Sequence, residues 1–267
     1  GEQILDQPGR PEAGKKLLNE AEVLCSDMGN CPESVAMVVS AHGDGVKSCT
    51  GFLIGADLIA TSGKCLPADA ASAGCADRIR VLFPASDSHI ASSFNCQGVT
   101  LGSSDLTLIR LSQPTGRKVL AISSDGVADG ARVSVPLVQA ASHTSKPFGE
   151  IRVRSCKAVQ RSIVLPQYRS DSSPIIALGD CPVDEMGIGA PVISENGQVR
   201  AQIRSDLKNT DEFQDYYRAV LNHRDVSDIA FATNFACLST PLEAAGRTLP
   251  RGCTADSVGP GGISREL

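Results

Sequence analysis

Apolar residues along this chain gather in short runs of strand length. From Val35 onward come "SVAMVVSA", "GFLIGADLIAT", "IRVLF", "LTLIRL", "KVLAIS", "ARVSVPLV", "EIRVRSC", "APVIS", "QVRAQI" and "IAFATNF", punctuated by turn-forming residues. Many short strands at such spacing predict an all-β sandwich or barrel. Asn196-Gly197, between two of these runs, predicts a hairpin with a type I′ turn. Two helical stretches interrupt this pattern, Asp211 to Asn222 and a helix starting at Thr240, where Thr caps, Pro241 suits the first position and Glu243 completes a capping box. Residues 1 to 32 are polar, with one helix-prone piece from Ala13 to Val23, and read as an arm outside the core. The Gly/Pro-rich end "SVGPGGISREL" reads as a loose tail.

Composition narrows the class. The chain has 267 residues, 42% of them hydrophobic, and a net charge of -5, which excludes a disordered polyelectrolyte. Aromatic residues are 4% and no basic stripe interleaves with them, so nucleic-acid binding is not expected. No apolar run approaches the ~20 residues of a membrane span. The ten cysteines, at 25, 31, 49, 65, 75, 96, 156, 181, 237 and 253, contain no CxxC and no Cys/His cluster, so disulfides are the expected use, with no metal or cofactor. Disulfides imply an oxidising compartment, secreted or periplasmic. The chain starts at Gly1 with no visible signal peptide, as a processed or trimmed export product would.

Three stretches carry chemistry by likeness. "SCTGFLIGADLIATSGKCL" (Ser48 to Leu66), "SSDLTLIRL" (Ser103 to Leu111) and "MGIGAPVIS" (Met186 to Ser194) occur in the order of the catalytic segments of trypsin-like serine proteases. Together they resemble that family, its bacterial glutamyl-endopeptidase-like branch above all, over about residues 33 to 250. The resemblance implies two antiparallel Greek-key β-barrels with a C-terminal helix: a first barrel over 33–120, a second over 121–238, and helix and tail over 239–267. It also implies that Cys49 and Cys65, sixteen residues apart, form the bridge beside the family's catalytic histidine. Sequential pairing is expected for the other cysteines, 25 with 31, 75 with 96, 156 with 181 and 237 with 253, without a specific match behind it.

By the same alignment the catalytic equipment is degenerate. Lys64 stands at the histidine position, Asp105 at the aspartate and Ile188 at the nucleophilic serine. Met186 replaces the first glycine of the oxyanion loop, Gly187 takes its variable position, and Gly189, Pro191 and Val192 keep register. Acyl transfer needs a hydroxyl nucleophile, a base neutral near pH 7 and a carboxylate that orients it. Isoleucine has no lone pair, and lysine, with an unperturbed pKa of about 10.4, stays protonated beside a carboxylate. Losing nucleophile or base costs on the order of 10⁶ in kcat in a comparable hydrolase. His42, His89, His143 and His223 lie outside the three stretches, and Ser194 and Ser205 lie outside the nucleophile turn.

The expected function is therefore that of a catalytically inactive protease homologue acting on an unknown protein or peptide partner. A hydrolase with relocated catalytic residues and a structural or adhesive module on the same scaffold are the alternatives. Lys64 is expected to turn its ammonium toward Asp105, since a carboxylate in a cleft needs a partner. Arg204, on the strand resembling the wall of the family's specificity pocket, either alters that pocket or is a solvated strand residue.

Overall fold

The structure, a computed structural model, describes residues 22–235 except 30, 44, 102–104, 124–125, 129, 141–145, 147, 164–174 and 205–228. Both predicted helices, the tail, His143, His223, Ser205, Cys237 and Cys253 lie outside the described residues. So does most of the N-terminal arm.

Thirteen strands are present among the described residues: β1 (Glu22–Leu24), β2 (Val35–His42), β3 (Gly45–Gly55), β4 (Leu58–Ser62), β5 (Ile79–Phe83), β6 (Ser92–Leu101), β7 (Leu106–Leu111), β8 (Arg132–Gln139), β9 (Glu150–Ile163), β10 (Ile175–Gly179), β11 (Pro191–Ser194), β12 (Val199–Arg204) and β13 (Ala230–Asn234). The first six after β1 close into an antiparallel barrel in the order β2-β3-β4-β7-β6-β5. The remaining six form a second ring, β9-β10-β13-β12-β11-β8, closed by the β8–β9 pairing, with β1 added outside β9. These two closed six-stranded barrels are the architecture of a chymotrypsin-like fold.

Strand faces explain why the apolar runs are continuous where a half-exposed strand would alternate. On β3, Leu53 points into the first barrel's core while its neighbours Phe52 and Ile54 join a layer between the barrels. The same split recurs on β4, with Ile59 inward against Leu58 and Ala60, and on β7, with Ile109 inward against Leu106 and Leu108. Val138, Ile151, Val153, Val199 and Phe235 meet this layer from the second barrel, whose own core holds Val135, Leu137, Leu178, Val192 and Ile203. Both faces of these strands are thus buried.

Two expectations change. Glu22–Leu24 is a strand of the second sheet, antiparallel to Leu24↔Arg152, Val23↔Val153 and Glu22↔Arg154, and not part of a free arm. Its acid explains the attachment: Glu22 receives Arg152 at 2.9 Å and Arg154 at 3.0 Å. Cys25 is buried and packs with Met28 and Cys31 against the inter-barrel layer. The β11–β12 hairpin also turns differently. Gly197 N–H donates to Ser194 O at 2.8 Å, so Glu195 and Asn196 are the central residues, and only Gly197 among them has positive φ, at 78°. A type I′ turn needs positive φ at both central residues; here Asn196 stays in ordinary space and Gly197 supplies the left-handed step of a bulged loop.

Disulfides join Cys25 to Cys31, Cys49 to Cys65, Cys75 to Cys96 and Cys156 to Cys181. Among the described residues no helix is long and apolar enough to cross a membrane, and no cluster of His, Cys, Asp and Glu is placed to hold a metal.

Candidate functional site

The stretches containing Lys64, Asp105 and Ile188 meet at the barrel junction. β4 ends at Ser62 and passes into a single 3₁₀ turn, Gly63–Cys65, fixed by the bridge from Cys65 to Cys49 on β3. Ser62 makes this turn possible, its Oγ accepting the Lys64 N–H at 3.2 Å as an N-cap. Gly63 N–H donates to Asp105 O at 2.8 Å, binding the turn to the start of β7.

Asp105 is half-buried and adopts φ of 67°, a left-handed conformation that few non-glycine residues tolerate and that Asp tolerates better than most. Ser62 Oγ donates to its Oδ2 at 2.7 Å, and Gln202 Nε2 donates to its main-chain oxygen at 3.4 Å. Lys64 does not serve it. The lysine side chain is exposed and makes no ion pair with Asp105, contrary to the pairing expected from sequence. The hydroxyl two residues earlier reaches the carboxylate along a shorter path and costs less side-chain entropy than ordering a lysine.

The third stretch begins with another 3₁₀ turn, Glu185–Gly187, capped by Asp184, whose Oδ1 accepts the Gly187 N–H at 3.2 Å. Ile188 N–H donates to Glu185 O at 3.3 Å, so this N–H is turned into the loop and is not free to receive a developing oxyanion. The Ile188 side chain is 7% exposed and packs in the first barrel's core with Cys49, Cys65 and Leu66. Met186, half-buried, presents its carbonyl to the Thr50 hydroxyl at 2.6 Å. Gly189 has φ of 84°, and a Cβ there would collide with Thr50 O and Thr61 Oγ1; only glycine fits.

Thr50, which sequence reasoning passed over, ties the site together. Its Oγ1 donates to Met186 O and accepts Val138 N–H at 3.1 Å, its N–H donates to Ile188 O at 2.9 Å, and its carbonyl accepts the Thr61 hydroxyl at 2.8 Å. One residue thereby links β3, β4, β8 and the 186–188 loop. A threonine after a cysteine in an apolar run gives no hint of this.

Arg204 is 6% exposed on β12 and places Nη1 3.4 Å from Thr233 Oγ1, which rules out the solvated-strand reading. Its neighbour Gln202 is 1% exposed, and its Oε1 is buried without a hydrogen-bond partner. Of the histidines and serines weighed as substitutes, His42 Nε2 lies 2.9 Å from Ser40 Oγ, but Ser40 is fully buried and bonded to Cys65 O. His89 pairs with Glu33 at 3.0 Å, and Ser194 Oγ is held within its own hairpin by Gln198 O at 3.0 Å.

Comparison with known proteins agrees with this geometry. No curated protein matches the chain in sequence. Among solved structures, the Rv3671c protease from M. tuberculosis in its active form aligns with a TM-score of 0.56 at 18% identity, covering 83% of this chain and 84% of that one. The inactive form of the same protease gives 0.51 at 16% identity, with 81% and 87% covered. A Glu endopeptidase in complex with MPD gives 0.52 at 14% identity, with 81% and 91% covered. At such identities the likeness establishes fold. A family model, that of the trypsin-like peptidase domain, matches residues 49–201, more than half of the chain. With the two barrels and the converging turns already in place, this chain belongs to the trypsin-like peptidase family.

Proposed function

We propose that the protein is a catalytically inactive trypsin-like peptidase homologue that acts by binding another protein or peptide. Ile188 carries the proposal. At the position aligned with the nucleophile it offers no hydroxyl, its side chain is buried among apolar atoms, and its N–H is donated to Glu185 O. An exposed Lys64 leaves no imidazole at the position aligned with the histidine. The disulfides favour a secreted or periplasmic location. Burial of Ser40 weighs against a hydrolase rebuilt around the Ser40–His42 contact.

A serine-reactive phosphonate, applied with a broad panel of peptide and ester substrates, tests the reading. No labelling and no turnover are expected; stoichiometric labelling would overturn it. Reversion sharpens the test. Lys64→His with Ile188→Ser restores the side chains but leaves Met186 and the inward-turned N–H of residue 188, so ester hydrolysis should remain absent or very weak.

A further inference from the structure

We propose that the Gly63–Cys65 turn, with Lys64 and the neighbouring Lys47, is a docking site for a short acidic segment of a partner protein. The proposal rests on the inactive-homologue reading, since a working histidine would otherwise occupy this place. Lys64 is exposed, and the Lys47 ammonium is held beside it, donating to Lys64 O at 2.7 Å. Neither lysine forms an ion pair among the described residues. His42, half-buried at the end of β2, brings its Nε2 to 3.4 Å from Cys65 O, at the same turn. An ammonium from β3 and an imidazole from β2 thus meet the main chain of the Gly63–Cys65 turn, which carries the exposed Lys64.

Three features favour an acidic peptide. The chain as a whole is at -5, so attraction for an anionic segment has to come from local positive charge, which Lys47 and Lys64 supply at this turn. Lys47 is already fixed by its bond to Lys64 O, so less side-chain freedom is lost when it meets a carboxylate. Asp184 and Glu185 are exposed, beside the Met186 that Thr50 binds. Thr50 lies three residues beyond Lys47 on β3, or about 10 Å of extended strand. A long polyanion would run into these carboxylates, so the fit is to a short acidic stretch. Nucleic acid fits poorly for the same reason, and the patch offers neither a stacking aromatic nor a track of phosphate contacts.

The test is fluorescence anisotropy of the full chain with a short Glu-rich labelled peptide and its Gln-for-Glu counterpart. The acidic peptide should bind about tenfold more tightly than the neutral one and weaken as salt is raised. The preference should vanish in the Lys47→Gln/Lys64→Gln double variant, whose thermal midpoint should match the parent because neither lysine is buried. Equal binding of the two peptides, a preference that survives in the double variant, or tighter binding of a single-stranded oligonucleotide of equal charge would overturn the proposal. Failure of the parent reading is separable: phosphonate labelling would sink catalytic inactivity while leaving the peptide preference to stand.

Discussion

Two polar regions of the first barrel treat charge in opposite ways. Under the β5–β6 loop, Arg117 is 5% exposed and completely engaged: Nη1 donates to Glu33 O at 3.1 Å, Nη2 to Pro84 O at 3.2 Å and Ile90 O at 2.8 Å, and the guanidinium lies 4.9 Å from the Phe83 ring centroid. Glu33 in turn receives the Ser86 hydroxyl at 2.7 Å and His89 at 3.0 Å. At the junction of the turns, by contrast, Lys64 reaches solvent, and the interactions that hold the turns are made by backbone groups, Ser62, Thr50 and the exposed Asp184 cap. Where a charge is built into the body it is surrounded by acceptors, because an uncompensated buried charge is expensive. Where it is left outside, it contributes little to the fold and is available to something else.

Substitutions can break this contrast. Arg117→Met should be the most damaging change, removing a buried cation from Glu33 and from three main-chain acceptors, with a loss of about 3–5 kcal/mol in urea denaturation. A loss under ~1 kcal/mol would mean that the loop repacks without it. Thr50→Val comes next. It keeps volume but leaves Met186 O without its donor and Val138 N–H without its acceptor, a cost of about 2–3 kcal/mol. Faster amide exchange over residues 185–188 should accompany it, while the β5–β6 loop stays protected.

Acid should attack the engaged region selectively. Burial pushes the Glu33 carboxyl up, but the Ser86 hydroxyl, the His89 ring and the Arg117 charge together outweigh it and hold the group below its ordinary value of 4.5. A depressed folded pKa means that the unfolded chain binds the proton first. The Glu33 contribution is therefore complete above about pH 4.5 and is lost as pH falls through the lower folded value. Stability of the parent should drop in that window by more than that of Glu33→Gln, and parallel pH profiles would contradict the assignment. The smallest effect belongs to Lys64→Met, expected within ±0.5 kcal/mol of the parent by thermal denaturation. A large loss would restore the Lys64–Asp105 pair that the geometry lacks.

Much of the fold was legible in the chain because apolar runs flanked by turn residues can be read without knowing which way any side chain points. Most strands from β2 to β13 fall on those runs, but β6 (Ser92–Leu101) and β10 (Ile175–Gly179) lie on none of them, and the run "KVLAIS" yields only an isolated bridge at Ile122; the converging turns lie where the three aligned stretches put them. What escaped was decided by local competition. Ser62 and Lys64 are both able to satisfy Asp105, and the sequence does not say which is nearer. The Asn196-Gly197 pair suits two turn types, and only the backbone shows that the glycine follows the turn and does not form its centre. Glu22 looked like part of a polar arm because its partners, Arg152 and Arg154, lie some 130 residues away on β9. Arg204 could have been read as solvated until its strand was placed at the centre of a closed ring.

The apolar layer between the barrels also constrains how the chain can be divided. Phe52 and Phe235 sit with ring centroids 6.2 Å apart across it, and Phe52, Ile54, Ala60, Leu106 and Val153 turn toward it from strands whose opposite faces are already committed to a barrel interior. A fragment ending after β7 would present that side of β3, β4 and β7 to water, a contiguous oily surface of the kind that drives self-association. Truncation after β7 should yield aggregates and no autonomous half, and the full chain should melt in one cooperative transition.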